Sequence, residues 1–166
     1  MTPIERHAVI SPCGTYRYML MRDWQHPLLL PSPTCSLAFI MLNPSTADAN
    51  LDDPTIRRCM AFARREGFYG IRVFNLFALR STDPKALRFA ADPVGPENDS
   101  HLSRCRMYGD VIAAWGSVPF AADRIRRVLS ILRGSAVKCL GTNKDGSPKH
   151  PLYIPKNAPL IPWSGQ

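Results

Sequence analysis

No apolar run in this sequence is long enough to cross a bilayer: the longest are short and are broken by Pro, Arg or Asp. The opening MTPIERHAVISP lacks the basic-then-apolar layout of a secretory leader. A cytoplasmic chain with no membrane partner is therefore expected. Cysteine is sparse and unpaired. Cys13, Cys35, Cys59, Cys105 and Cys139 number five, lie far apart and form no C-x-x-C. That spacing argues against a disulfide framework and against a zinc knuckle, so no metal is expected. The thiols read as small buried hydrophobes in a reducing compartment. G-x-G-x-x-G, the full P-loop spacing, a serine elbow and H-E-x-x-H are all missing, which leaves a dinucleotide cofactor without support. There is no internal repeat, low-complexity stretch or domain boundary, so residues 1–166 read as a single domain.

What is present fits a globular chain. Hydrophobic residues make up 45% of 166, which excludes disorder. Lys and Arg total 21 against 13 acidic residues, for a net charge of +8. This balance favours polyanionic partners, DNA or another nucleic acid, through phosphate neutralisation and counterion release. The plain alternative is a generally basic protein.

Along the chain, 6–23 reads as a β-hairpin turning at Pro12-Cys13-Gly14, and 26–34 as a Pro-rich connector. Residues 36–42 form a continuous apolar run of the kind a doubly covered parallel strand shows. Asp53 and Pro54 open a helix that runs to about Arg65. Strands follow at 71–77, 110–115 and 136–141, with helices at 82–89, 97–107 and 119–133 between them, and a loop-like tail from Thr142. The alternation predicts an α/β fold: three layers, α/β/α, with a central, mostly parallel four-stranded sheet plus the N-terminal hairpin.

Ligands of open parallel sheets bind beyond the carboxyl ends of the strands. Here those ends carry Asn43-Pro44-Ser45, then Asn75 and Phe77, then Trp115, then Lys144 and the Lys149-His150 pair. Asn75 would point an amide fork into a cleft, or else serve as a turn residue; the same choice holds for Asn43. His150 is a hydrogen-bond donor for developing negative charge, or a surface loop residue. Asp48 is the better candidate for a general base, because Asp53 reads as a helix cap. Phe77 would stack on a planar ligand or pack in the core. Lys144 sits in a tight turn and would seek phosphate. Arg57, Arg58, Arg64, Arg65 and Lys149 would hold a nucleic-acid backbone, or merely solvate a helix face.

The strings IMLNPSTAD, DDPTIRRCMAFARREGF, VFNLFALRSTDP, DPVGPEND, AAWG and CLGTNKDGSPKHPLY, in this order, resemble the DUF1643 family of bacterial and phage proteins over nearly the whole chain. That resemblance implies no particular activity. A second resemblance is to the uracil-DNA glycosylase superfamily, carried by Leu42-Asn43-Pro44-Ser45, Asn75 in VFNL, Trp115-Gly116 and Lys149-His150-Pro151-Leu152. It implies a base-excision enzyme that hydrolyses an N-glycosidic bond without a cofactor. Asn43, with Asp48, would orient water; Asn75 would read the base edge; His150 would stabilise the departing base. Met41 stands where that superfamily has Gly, and Leu152-Tyr153 replaces its final Ser-Pro. Rival expectations are a non-catalytic binder of nucleic acid or a nucleotide, and a hydrolase of a free nucleoside or related metabolite.

Overall fold

A strand with apolar residues on both faces is stable only where helices cover both sides of its sheet. Ser36–Met41, all six residues buried, is such a strand. The computed structural model describes residues 4–24, 32–45 and 47–165. Its strands are β1 (Ile4–Ile10), β2 (Arg17–Trp24), β3 (Ser36–Met41), β4 (Gly70–Asn75), β5 (Val111–Ala113), β6 (Val137–Cys139) and β7 (Ile161–Pro162). They form one mixed sheet in the order β1-β2-β4-β3-β5-β6-β7, with β3 at the centre. β3 runs parallel to β4 and β5, and β5 parallel to β6. β1, β2 and β7 are antiparallel to their neighbours.

Among the described residues three α-helices complete the fold: α1 (Pro54–Arg65), α2 (Asn98–Ser103) and α3 (Ala122–Ile131). The pleat of β3 sends Leu37, Phe39 and Met41 to the face covered by Ile56, Cys59, Met60 and Ala63 of α1. Ala38 and Ile40 face the other way, against Leu102 of α2 and Val128 of α3. The helices thus lie on both faces of the sheet.

Several sequence expectations are corrected. The hairpin is not an appendage: β2 joins the sheet through β4, with Leu20 opposite Val73. The outer edge of β4 carries unpaired backbone groups, and β2 satisfies them while burying alternate side chains. The tail after Thr142 contributes β7, whose two residues include Pro162, tolerable only at a sheet edge. Pro84–Arg88 forms a 3₁₀ turn rather than an α-helix, and α2 passes into another at Arg104–Met107. Residues 26–31 of the expected connector lie outside the described residues, while Pro33–Cys35 is a 3₁₀ turn. Cys59, Cys105 and Cys139 are buried, but Cys13 is exposed in the hairpin turn. Its hydrogen bond to Ser11, followed by those from Thr15, lowers its thiol to about 7.

The end of β4 is closed by Asn98, which is fully buried. Its Nδ2 donates to the carbonyls of Asn75 and Leu76, both at 3.1 Å. Asn98→Ala would remove the Asn98 donor from the Asn75 carbonyl and leave the Leu76 carbonyl only its bond from Arg124, and is expected to cost about 1–3 kcal/mol in denaturant unfolding. Among the described residues no helix is long and apolar enough to cross a membrane.

Candidate functional site

Where parallel strands end, the chain turns away and leaves a crevice above the sheet edge. The residues just past β3, β4, β5 and β6 meet the first turn of α1 there. They enclose a cavity of about 510 Å³ walled by Asn43, Ser45, Asp53, Ser81, Trp115, Lys149 and His150, among others. Gly116, at φ +80°, makes the turn that brings the loop after β5 against His150.

His150 is held by its own backbone surroundings. The Leu152 N–H donates to its Nδ1 at 3.3 Å, so the ring caps the 3₁₀ turn Pro151–Tyr153. An imidazole accepting at Nδ1 carries its proton on Nε2. Burial pushes the pKa of His150 below the ordinary value, against an opposing pull from Asp53. The ring is therefore a neutral Nε2–H donor at physiological pH. Arg58 fixes this turn to α1: its Nε donates to the Pro151 carbonyl at 3.3 Å and its Nη2 to the Ile154 carbonyl.

Asn43 is half-buried and its amide nitrogen is committed, donating to the carbonyls of Ser81 at 2.9 Å and Pro44 at 3.0 Å. These bonds tie the loop after β3 to the loop after β4. They leave Oδ1 as an acceptor for whatever enters the cavity. Asp53 caps α1, accepting from the Ile56 N–H at 2.8 Å through Oδ1. The cap uses one carboxylate oxygen, and the other is left on a residue of the cavity wall.

The expected general base, Asp48, sits elsewhere. Its Oδ1 accepts from the backbone of Asn50 and Leu51 at 2.8 and 2.9 Å, and these bonds hold its carboxyl below the usual range. It builds the turn before α1 and is absent from the cavity wall. Asn75 is also off the wall: it is 2% exposed, and its Oδ1 is buried without a partner among the described residues. Phe77 packs in the opposite core, stacked on Phe120 with centroids 6.1 Å apart. Pro44 is buried behind the wall, while Ser45 is on it. Trp115 is on the wall, edge-on to Trp163, with its Nε1–H unpartnered among the described residues. Lys144 is exposed in the turn Asn143–Ser147 and off the wall; Lys149 is on it.

The helix arginines do not converge on the cavity. Arg57 donates to the Asp52 carbonyl, and Arg64 lies 4.5 Å over the Trp24 ring. Arg65 pairs with Glu66 at 2.6 Å and donates to the Lys156 carbonyl. Together with Arg58 they bind this chain's own groups. The arginine that does reach the wall is Arg17, in β2, 3% exposed. Sequence reasoning missed it because Thr15–Arg22 alternates like a half-exposed hairpin strand, in which arginines face water. Among the described residues no three His, Cys, Asp or Glu side chains gather as a metal-binding group.

A family model described as "Protein of unknown function (DUF1643)" matches residues 17–152. That span contains every wall residue named above. No curated protein and no solved structure matches the chain.

Proposed function

The chain belongs to the DUF1643 family, and we propose that its cleft hydrolyses the N-glycosidic bond of a nucleotide unit, as a base-excision enzyme would. One observation carries this: His150, locked as a neutral Nε2–H donor, shares a cavity with the Oδ1 of Asn43 and the carboxylate of Asp53. The resemblance of Leu42-Asn43-Pro44-Ser45 and Lys149-His150-Pro151 to motifs of the uracil-DNA glycosylase superfamily supports it. So does the parallel arrangement of β4, β3, β5 and β6, whose ends build the cavity.

Asn43 Oδ1 and the free oxygen of Asp53 orient a water towards the sugar C1′. The C1′–N bond breaks and its electron pair leaves with the base. His150 Nε2–H donates to the developing anion, and Asp53 takes the proton that the water loses on bonding to C1′. Tyr153, 82% exposed at the rim, offers its ring as a stacking platform. Met41 on the wall narrows the pocket relative to a glycine and selects against the largest bases.

A net charge of +8 suits nucleic acid as one substrate class. The internal engagement of Arg58, Arg64 and Arg65 favours a second substrate class, free nucleotides, because those guanidiniums are not free to track a backbone. Base release from oligonucleotides bearing uracil, hypoxanthine, hydroxymethyluracil or mismatches, and from free nucleotides, separates the two. Release of a free base with a matching abasic product is expected. Tight binding with no release from any of these substrates would leave a binding protein instead.

Catalysis needs His150 neutral, and burial lowers its pKa. The kcat/KM profile is therefore expected to stay level from about pH 8 down to about pH 6.5, the ordinary histidine value, and to fall only below it. The same shift bears on stability. The unfolded chain binds the proton first, so His150 contributes stability above its unfolded pKa that is lost as pH falls through its folded one.

A further inference from the structure

Among the described residues three arginines are buried, and two of them have a carboxylate in contact. Arg22, fully buried, pairs with Asp52 at 2.6 Å and donates to the carbonyls of Met21 and Asp48. Arg124 pairs with Asp99 at 2.6 Å and donates to the Leu76 carbonyl, although its Nη2 is unpartnered among the described residues. Arg17 differs. At 3% exposure it donates only to the Ala47 carbonyl, and no carboxylate lies within ion-pair distance among the described residues. Its Nε has no partner there at all. Asp53 is near enough to act on it through space, yet burial still pulls the guanidinium down to about 10. A buried cation without a contacting anion is costly, and a bound anion would relieve that cost.

That anion has a place to sit, because Arg17 lines the cavity that holds His150 and Asn43. Two cations, Arg17 and Lys149, and one carboxylate, Asp53, make up the wall's formal charge with His150 neutral, so the wall is net positive. A guanidinium offers a fork of donors matched to two oxygens of one phosphate. We infer that Arg17 is the receptor for a phosphate group on the cleft's ligand, and that this is a phosphate monoester, so the ligand is a nucleoside monophosphate. A monoester at the end of a small molecule approaches a side chain at the back of this cleft from one direction only, whereas an internal phosphodiester of a strand brings chain in on both sides. The identity of the ligand as a nucleotide rests on the function proposed above; the phosphate receptor rests on Arg17 alone.

Calorimetric titration of the full chain tests this without turnover. The probes are inorganic phosphate, the common nucleoside 5′-monophosphates, the matching nucleosides, and a short single strand with a 5′-hydroxyl. Inorganic phosphate is expected to saturate a single site. At least one monophosphate is expected to bind about ten- to hundredfold more tightly than its nucleoside, the range given by a charge-assisted bond. Arg17→Met is expected to erase that preference. Arg17→Lys, which keeps the charge and loses the fork, is expected to weaken the monophosphate alone and serves if Arg17→Met fails to fold. Equal affinity for monophosphate and nucleoside in the wild type, or no saturable phosphate binding, would overturn the inference. So would an Arg17-dependent preference for the 5′-hydroxyl strand, which would place a phosphodiester there. Phosphate binding through Arg17 with no base release from any substrate would sink the proposed hydrolysis and leave the receptor standing.

Discussion

Replacing His150 by Ala is expected to lower base release about 10²–10³-fold, the usual loss when one preorganised donor to a developing anion is removed. The substitution also deprives the Leu152 N–H of its acceptor and loosens the turn Pro151–Tyr153. His150→Asn separates the two contributions. Asparagine keeps a short polar acceptor at this capping position but cannot reach the cleft with an imidazole Nε2–H. Both variants are expected to lose activity to a similar degree. Only His150→Ala is expected to melt earlier, which thermal unfolding will show. An His150→Asn variant with wild-type turnover would remove the donor from the mechanism.

Asp53 carries two roles on one carboxylate, and two substitutions divide them. Asn is as good a helix cap as Asp, so Asp53→Asn is expected to leave the melting temperature nearly unchanged while lowering kcat by about 10²-fold through loss of the charged acceptor for water's proton. Asp53→Ala loses the cap on Ile56 as well. It is expected to cost about 1 kcal/mol more, or about 2–4 °C in a domain of this size. Asp53 also holds up the pKa of His150. Any residual activity of Asp53→Asn should therefore show an acid limb displaced to lower pH. A pH profile that does not move would mean that the two side chains are not coupled across the cavity. Asp48→Asn keeps an acceptor for Asn50 and Leu51, and is expected to leave kcat untouched.

The α/β class was legible because burial on both faces leaves an unbroken apolar run, as in Ser36–Met41, and because Asp53-Pro54 is a strong helix start. The mixed sheet was not legible. Which strand lies beside β4 is decided by long-range pairing of Leu20 with Val73, and nothing local in 17–24 signals it. β7 escaped because two residues carry no periodicity. Asn43, Ser45 and Trp115 closely follow the ends of β3 and β5, Lys149 and His150 come later in the segment after β6, and all five lie on the cavity wall. Asn75 also ends a strand and shares the sheet face of Met41, its partner in register, yet it is buried and off the wall, a matter of tertiary packing that a sequence does not show. Asp53 lines the cleft and Asp48 does not, which the capping signal of Asp53 hides, because a cap reads as a complete explanation although it uses only one carboxylate oxygen. Arg17 was invisible: only tertiary burial distinguishes it from a solvated strand arginine.

The joint action of Asn43, Asp53 and His150 on one ligand can be seen directly in a crystal structure of the slow Asp53→Asn variant soaked with its best-bound nucleotide. The glycosidic bond should lie between Asn43 and His150, with His150 Nε2 within about 3 Å of an acceptor on the base. A nucleotide seated outside the cavity, or one whose base points away from His150, would contradict the proposed chemistry.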